Sequence, residues 1–289
     1  MILTVTLNAA LDVTYPVDRL VPGAVHRVGP PRRRAGGKGV NVARVLAALG
    51  EEVLATGFAG GATGAAFLAD LPVPSAFVQI GGETRCTLTV LDAEATLFNE
   101  PGPLVTEPEW QAFLTRFRTL RADVVVLSGS LPPGLPDDAY ARLIEAADAP
   151  VILDADGPAL LHGLPARPAL VKPNAQELRA TGRTPAQLRA LGAQAVAVSD
   201  GPRGLAVHLA DGGWRATPPE THGNPTGAGD AAVAAFARGL RRGTPWPELV
   251  ADAVALSAAA VAAPVAGDFD ADRYTAAEIR PTPLPKEHE

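Results

Sequence analysis

The segment Gly223-Asn-Pro-Thr-Gly-Ala-Gly-Asp230 runs straight into an apolar helical stretch, Ala231–Leu240. A turn that ends Gly227-Ala228-Gly229 at a helix start leaves backbone N–H groups unpaired, with the positive end of the helix dipole behind them. That is an anion site. Asp230, in the first turn, is electrostatically welcome at any helix start. Beside a phosphate cradle, the same carboxylate also stands where a general base would take the proton of a hydroxyl attacking a phosphoryl group. Charge developing on the transferred group would be met by the amides. The stretch also satisfies a loose G-x-G-x-x-A, but no strand-then-acid context follows, which argues against a dinucleotide fingerprint.

A second cluster, Ala35-Gly-Gly-Lys-Gly-Val-Asn41, leads into a helix that ends near Leu49. It is not a P-loop, because Gly39 follows Lys38 where Ser or Thr is required. Its glycines permit close backbone approach to a ligand, and Lys38 and Asn41 offer donors. The plainer alternative is a glycine-rich turn beside a solvated charge run, Arg32-Arg33-Arg34. Lysine occurs only at Lys38, Lys172 and Lys286, the chain otherwise using arginine. This suggests that lysine is kept where a compact ammonium is wanted.

Leu170-Val-Lys-Pro-Asn-Ala-Gln-Glu177 sits at the end of a buried-strand pattern. Lys172, Asn174 and Glu177 cannot all lie in a core, and strand carboxyl ends are where open α/β sheets bind ligands. Glu177 could hold a water of a Mg²⁺ ion. Asn174 and Glu177 also have the spacing of a capping box, and the two roles are compatible. Ser128-Gly-Ser-Leu-Pro-Pro-Gly134 and Ser199-Asp-Gly-Pro-Arg-Gly204 follow further buried runs, each an ordinary turn by itself. The five histidines show no metal-ligand spacing, and there is no Gly-x-Ser-x-Gly elbow. Metal-hydrolase and acyl-transfer chemistry are therefore poorly supported.

The elements that must position these groups are short apolar runs alternating with helical patterns. Ile2–Leu7, Val53–Phe58, Asp123–Ser128, Val151–Asp154, Ala169–Lys172 and Ala195–Ser199 read as strands covered on both faces. Val42, Val45, Leu46 and Leu49 share a helical face, with Gly50 at the helix end. Pro108 opens another helix that carries Trp110, Phe113, Leu114 and Phe117. Alternation of this kind predicts an α/β fold with a parallel sheet between helices. Two regions depart from it. Thr84–Leu91 and Ala95–Phe98 read as a hairpin with one wet face, and Asp12–Val28 lacks helical periodicity. Together they predict a small β-sheet lid, formed from about 8–30 and 84–100, on a single domain spanning 1–289. The tail Pro281–Glu289 is expected to fray.

The 289 residues suffice for a substantial core, with 47% hydrophobic against 19% charged. The net charge of −6 argues against a nucleic-acid partner. The single cysteine, Cys86, excludes an internal disulfide framework. No basic opening segment leads into a long apolar run, and the apolar stretch Val250–Gly267 contains Asp252 and Pro264, so it reads as a buried alanine-rich helix and not a membrane span. A soluble cytoplasmic protein is expected, with no membrane partner.

Taken in order, Thr6-Leu-Asn-Ala-Ala-Leu-Asp12, Gly36-Gly-Lys-Gly-Val-Asn-Val-Ala43, Ser128–Gly134, Lys172–Glu177, Ser199–Gly204 and Thr226–Asp230 resemble the ribokinase-like carbohydrate kinases, in particular the phosphofructokinase B branch. The match covers nearly the whole chain, and six motifs in order are highly specific. The resemblance implies a Rossmann-like core with a small β lid, and ATP-dependent transfer of a phosphoryl group to a sugar alcohol with Mg²⁺. It assigns the catalytic base to Asp230 and an anion hole to Gly227, Ala228 and Gly229. Asn174 and Glu177 fall on its Mg²⁺–phosphate motif, with Lys172 beside them, and Ser199, Gly201 and Gly204 on its nucleotide loop. Asp12, Gly37, Lys38, Asn41 and Arg85 match the sugar site, with Ser130 near the substrate phosphate.

The opening Thr-Leu-Asn…Asp resembles members acting on phosphorylated ketohexoses. A dianionic acceptor would also account for Lys38 and Arg85 being grouped in one site. Fructose 1-phosphate and tagatose 6-phosphate are the expected acceptors. The alternatives are a 6-phosphofructokinase, a kinase of free sugars or nucleosides, and a non-catalytic sugar-phosphate sensor. Ala155, Asp156 and Asp200 depart from the residues common in the family. A homodimer through the lid sheet would be consistent with an exposed edge.

Overall fold

A computed structural model describes residues 1–285. Fourteen strands are described: β1 (Ile2–Thr6), β2 (Ala10–Pro16), β3 (Arg32–Gly36), β4 (Val53–Gly60), β5 (Val78–Ile80), β6 (Arg85–Leu91), β7 (Ala95–Asn99), β8 (Val124–Ser128), β9 (Val151–Asp154), β10 (Leu170–Val171), β11 (Val196–Ser199), β12 (Leu205–Leu209), β13 (Gly212–Ala216) and β14 (Thr282–Leu284). Ten form one sheet, in the order β14-β13-β12-β11-β10-β9-β8-β1-β4-β5. From β11 to β5 every pairing is parallel, and β12, β13 and β14 add an antiparallel edge. This is the mostly parallel α/β sheet that the alternating pattern implies.

Helices cover both faces, which is why the central strands are apolar throughout. On one face, Val42, Val45 and Leu46 pack with Ala231–Ala237 and with Leu249, Val250, Ala253 and Leu256. On the other, Trp110, Phe113, Tyr140, Leu143 and Leu160 form the second core. The apolar stretch near residue 250 is the buried helix Trp246–Val261. Its Asp252 is neutralised by two 2.8 Å hydrogen bonds from Arg238. Among the described residues, no helix is long and apolar enough to cross a membrane.

The second, separate sheet has the order β3-β2-β6-β7. β6 and β7 fall on the expected hairpin Thr84–Leu91 and Ala95–Phe98, whereas the N-terminal part differs from the expected segment. Residues 17–31 hold no strand, and the second N-terminal strand is β3, on the very Arg32–Arg34 run that reads as a solvated charge stretch. Arg34 is held there by Asp268, at 3.0 Å for one of two parallel hydrogen bonds, so one of the three arginines is a structural tie. The tail also departs from expectation: Thr282–Leu284 pairs with β13 instead of fraying. Residues 286–289, Lys286 included, lie outside the described residues.

Candidate active site

The helix Ala228–Arg242 begins after Gly227, whose φ of 87° lies in the left-handed region open to glycine. The preceding turn is fixed by Asn224, whose side chain accepts from the Thr226 N–H at 3.0 Å and whose own N–H donates to the Val261 carbonyl at 2.9 Å. The Ala228 N–H is spent on Pro225, at 3.2 Å. The Gly229 and Asp230 amides find no protein acceptor among the described residues. Of the expected trio Gly227, Ala228 and Gly229, Ala228 is thus a turn residue as well as a helix start.

Asp230 is 7% exposed and its Oδ2 accepts from the Asn41 Nδ2 at 2.8 Å. Asn41 is delivered by the helix Lys38–Ala48, whose N-terminal turn packs directly on β1. A side chain on Gly39 would stand 2.4 Å from the Thr6 hydroxyl, so the glycine-rich cluster exists to bring this helix close. Burial pushes the Asp230 carboxyl up to about 7, and negative Asp154 adds to the effect; the Asn41 hydrogen bond, Lys38 and Lys172 hold it from rising further. A carboxyl poised there can gain and lose a proton near neutrality.

Asp154 ends β9 and is 1% exposed. The Lys172 ammonium lies 3.2 Å from its Oδ1 and the Lys38 ammonium 3.7 Å. Lys38 is also 3.7 Å from the Glu177 Oε1. Both described lysines thus meet at one acid. Lys172 is itself 3% exposed, where the ion pair compensates its burial, while Asn174 and Glu177 stay partly exposed, so the three do not all lie in the core. Burial disfavours the Lys38 charge, but Asp154, Glu177, Asp230 and Asp156 more than offset it and move its pKa upward. Asp154 is the residue that motif spacing passes over. The signal it offers is a lone acid closing the apolar run Val-Ile-Leu-Asp at a strand's carboxyl end.

Asn174 caps the helix Ala175–Ala180, accepting from the Gln176 and Glu177 amides at 2.9 and 2.8 Å, while Glu177 accepts in return from the Asn174 N–H at 2.8 Å. The capping box is therefore formed. The Glu177 Oε1 meets only an ammonium at ion-pair distance, and the Asp154 Oδ1 makes no aligned hydrogen bond. No group of three acidic, His or Cys side chains converges as a metal cage among the described residues. This donor set fits a Mg²⁺ ion carried by phosphate oxygens and reached through water. Ser199 bridges to Asn174 across the sheet end. Asp200, Gly201 and Gly204 form the adjoining turn, closed by the Asp200–Arg203 pair at 2.6 and 2.7 Å. A Cβ on Gly204 would lie 2.0 Å from the Ala216 carbonyl.

The second sheet and the loops beside it supply the remaining residues. Asp12 on β2 stands opposite Arg34 and beside Thr87. Burial raises its carboxyl to about 6, against the Thr87 hydrogen bond and the charges of Arg85, Arg34 and Arg44. A Cβ on Gly36 would fall 2.0 Å from the Asp12 Oδ2. Gly37, at φ 105°, turns the chain from β3 into the Lys38 helix. The Arg85 Nε donates to the Asn8 carbonyl at 3.2 Å and its Nη1 to the Glu100 carbonyl at 3.0 Å. Ser130 accepts from the Asn8 side chain at 3.1 Å. Lys38 and Arg85 are not one group: Lys38 belongs to the Asp154–Glu177–Asp230 cluster, and Arg85 to that of Asp12 and Glu100.

The site therefore has two charge clusters at the sheet's carboxyl edge, bridged by the Lys38 helix. The profile of the pfkB family carbohydrate kinases matches residues 4–271. The chain belongs to this family. It is similar to phosphofructokinase-2 from Escherichia coli, crystallised in complex with potassium, at 32% identity and a TM-score of 0.87, over 95% of this chain and 96% of that one. A possible 1-phosphofructokinase from Thermotoga maritima is 27% identical, with a TM-score of 0.85 over 97% and 99% of the two chains. A ribokinase from Thermotoga maritima, at 18% identity and a TM-score of 0.76 over 95% and 98%, shares the fold. The chain is accordingly a phosphotransferase with a hydroxyl acceptor, a sugar kinase with phosphofructokinases among its relatives.

Proposed function

We propose that this pfkB-family kinase transfers the γ-phosphoryl group of ATP to a hydroxyl of a ketohexose phosphate, fructose 1-phosphate or tagatose 6-phosphate. The observation that carries the reading is Asp230, buried, hydrogen-bonded by Asn41, and set at a helix start whose first amides are unspent. In the reaction the acceptor oxygen forms a bond to the γ-phosphorus, the bond to the ADP oxygen breaks, and the hydroxyl proton passes to the Asp230 carboxylate. Asn41 holds that carboxylate in line. The Gly229 and Asp230 amides donate to the phosphoryl oxygens as charge builds on them. Lys38, paired with Asp154 and Glu177, supplies positive charge to the same group.

Mg²⁺, bound through the phosphates and by water-mediated contact with Glu177 and Asn174, would neutralise phosphate charge. Ser199, Gly201 and Gly204 form the nucleotide side. Asp12 orients a sugar hydroxyl, and Arg85 with Ser130 takes the acceptor's phosphate. The small sheet acts as a lid that excludes water and suppresses ATP hydrolysis. Its outer strand β7 leaves Leu97 and Phe98 about half exposed, which supports a lid-to-lid homodimer.

A second acceptor, fructose 6-phosphate, is favoured by one observation: a phosphofructokinase-2 structure from Escherichia coli, 32% identical to this chain, is in complex with it. The test is ADP release with fructose 1-phosphate, tagatose 6-phosphate, fructose 6-phosphate, free fructose, free ribose and a nucleoside. Turnover confined to the phosphorylated ketohexoses is expected. Equal or faster turnover of the free sugars or the nucleoside would overturn the acceptor class, and absence of turnover with every compound would favour a sensor.

A further inference from the structure

We propose that Asn8 is the positioning residue that sets Ser130 and Arg85 as phosphate-binding donors for the acceptor; this rests on the acceptor reading above. Asn8 lies in the turn between β1 and β2 and is 6% exposed. Its amide nitrogen carries two hydrogens. One is donated to the Pro101 carbonyl at 2.9 Å and the other to the Ser130 Oγ at 3.1 Å. A carbonyl can only accept, so the contact with Pro101 fixes which end of the amide is nitrogen. Ser130 Oγ therefore accepts from Asn8, and its own hydroxyl hydrogen is left for another acceptor. Ser130 is exposed, at the carboxyl end of β8.

The main chain of the same residue holds the second donor. The Asn8 carbonyl takes the Arg85 Nε–H, and the Glu100 carbonyl takes an Nη1–H. Two of five guanidinium N–H groups are thus committed, and three remain. One residue consequently ties together the end of β1, the loop after β8, the start of β6 and the segment leaving β7. Each tie leaves a donor unspent, and a phosphate dianion offers acceptors only. Stability alone does not account for asparagine here, because its Oδ1 is buried with no hydrogen-bond partner, which is costly. Gly102 packs so closely on that oxygen that a Cβ would lie 2.2 Å from it.

The test is steady-state kinetics of ADP release, using the best phosphorylated ketohexose, for Asn8→Ala, Ser130→Ala and the double variant. Asn8→Ala is expected to raise the acceptor KM about 10- to 100-fold, the loss of a charge-assisted hydrogen bond, with the ATP KM within about twofold. Asn8→Ala keeps the residue-8 carbonyl and with it the Arg85 contact; because the lost side chain acts through Ser130, adding Ser130→Ala to Asn8→Ala should cost less than about threefold more. A structural role alone would give independent, multiplicative effects. Should Asn8→Ala fail to fold, Asn8→Asp keeps the shape and removes both amide donors; its affinity for the sugar phosphate, read by calorimetry, should fall equally. An unchanged acceptor KM in a folded Asn8 variant, or multiplicative effects in the double variant, overturns the proposal while leaving the kinase reading intact. A wild-type protein that turns over no sugar phosphate removes the acceptor reading itself.

Discussion

Replacing Asp230 by Asn should stabilise the fold as it destroys the activity, and the gain should depend on pH. A carboxyl held near 7 in the folded chain against 3.8 in the unfolded one binds its proton more tightly when folded. Stability is therefore intact below about pH 3.8 and is lost as pH rises toward 7, where ionisation has to occur in the interior. At 1.36 kcal/mol per tenfold change in proton affinity, the penalty amounts to about 2 kcal/mol at pH 5 and about 4 kcal/mol at pH 8. The side-chain amide of the Asp230→Asn variant would keep an oxygen for the Asn41 N–H and carry no charge beside Asp154. Urea unfolding of both proteins at pH 5, 6, 7 and 8 reads the difference. Asp12, raised to about 6, is common to both and cancels. The stability gap in favour of Asp230→Asn should widen by roughly 2–3 kcal/mol between pH 5 and pH 8. Parallel pH curves for the two proteins would refute the buried, proton-retaining carboxyl.

Two further outcomes follow from the same clusters. Lys172→Met removes the closest countercharge of the 1% exposed Asp154 and should cost about 3–5 kcal/mol by urea unfolding, most of it recovered in Lys172→Met/Asp154→Asn; a loss under about 1 kcal/mol would contradict the pairing. Gly36→Ala sets a methyl 2.0 Å from the Asp12 Oδ2; the acceptor KM should rise at least about tenfold while the ATP KM stays within about twofold, and equal changes in both would contradict the placing of Asp12 on the acceptor side.

Much of this architecture is legible in the chain because burial on both faces forces continuous apolar runs: Ile2–Thr6, Val124–Ser128 and Val151–Asp154 are interior strands, as their short β-branched runs lead one to expect. Asp230 and its glycine turn are legible because a helix start with unpaired amides has a local signature. What stays hidden is whatever depends on partners remote in sequence. Thr282–Leu284 becomes a strand only because β13 offers it an edge, and its flanking prolines suggest the opposite. Arg32-Arg33-Arg34 conceals a strand because charge masks the pattern, and Asp268, 234 positions away, is what anchors Arg34. Lys172 violates the rule that lysines stay outside, since its partner Asp154 lies on a neighbouring strand. Asn8 falls inside the Thr6–Asp12 motif, but what it does is hidden there: its side-chain partners are 93 and 122 positions distant.

The most direct measurement is the turnover of Asp230→Asn with saturating ATP, Mg²⁺ and the best acceptor, alongside calorimetric acceptor affinity. A base that accepts the hydroxyl proton contributes about 10²–10⁴ in rate. The variant should lose about 10³-fold or more in kcat while binding the acceptor within a few-fold of wild type. A kcat within about tenfold of wild type, with affinity unchanged, would show that the proton goes elsewhere and contradict the role assigned to Asp230.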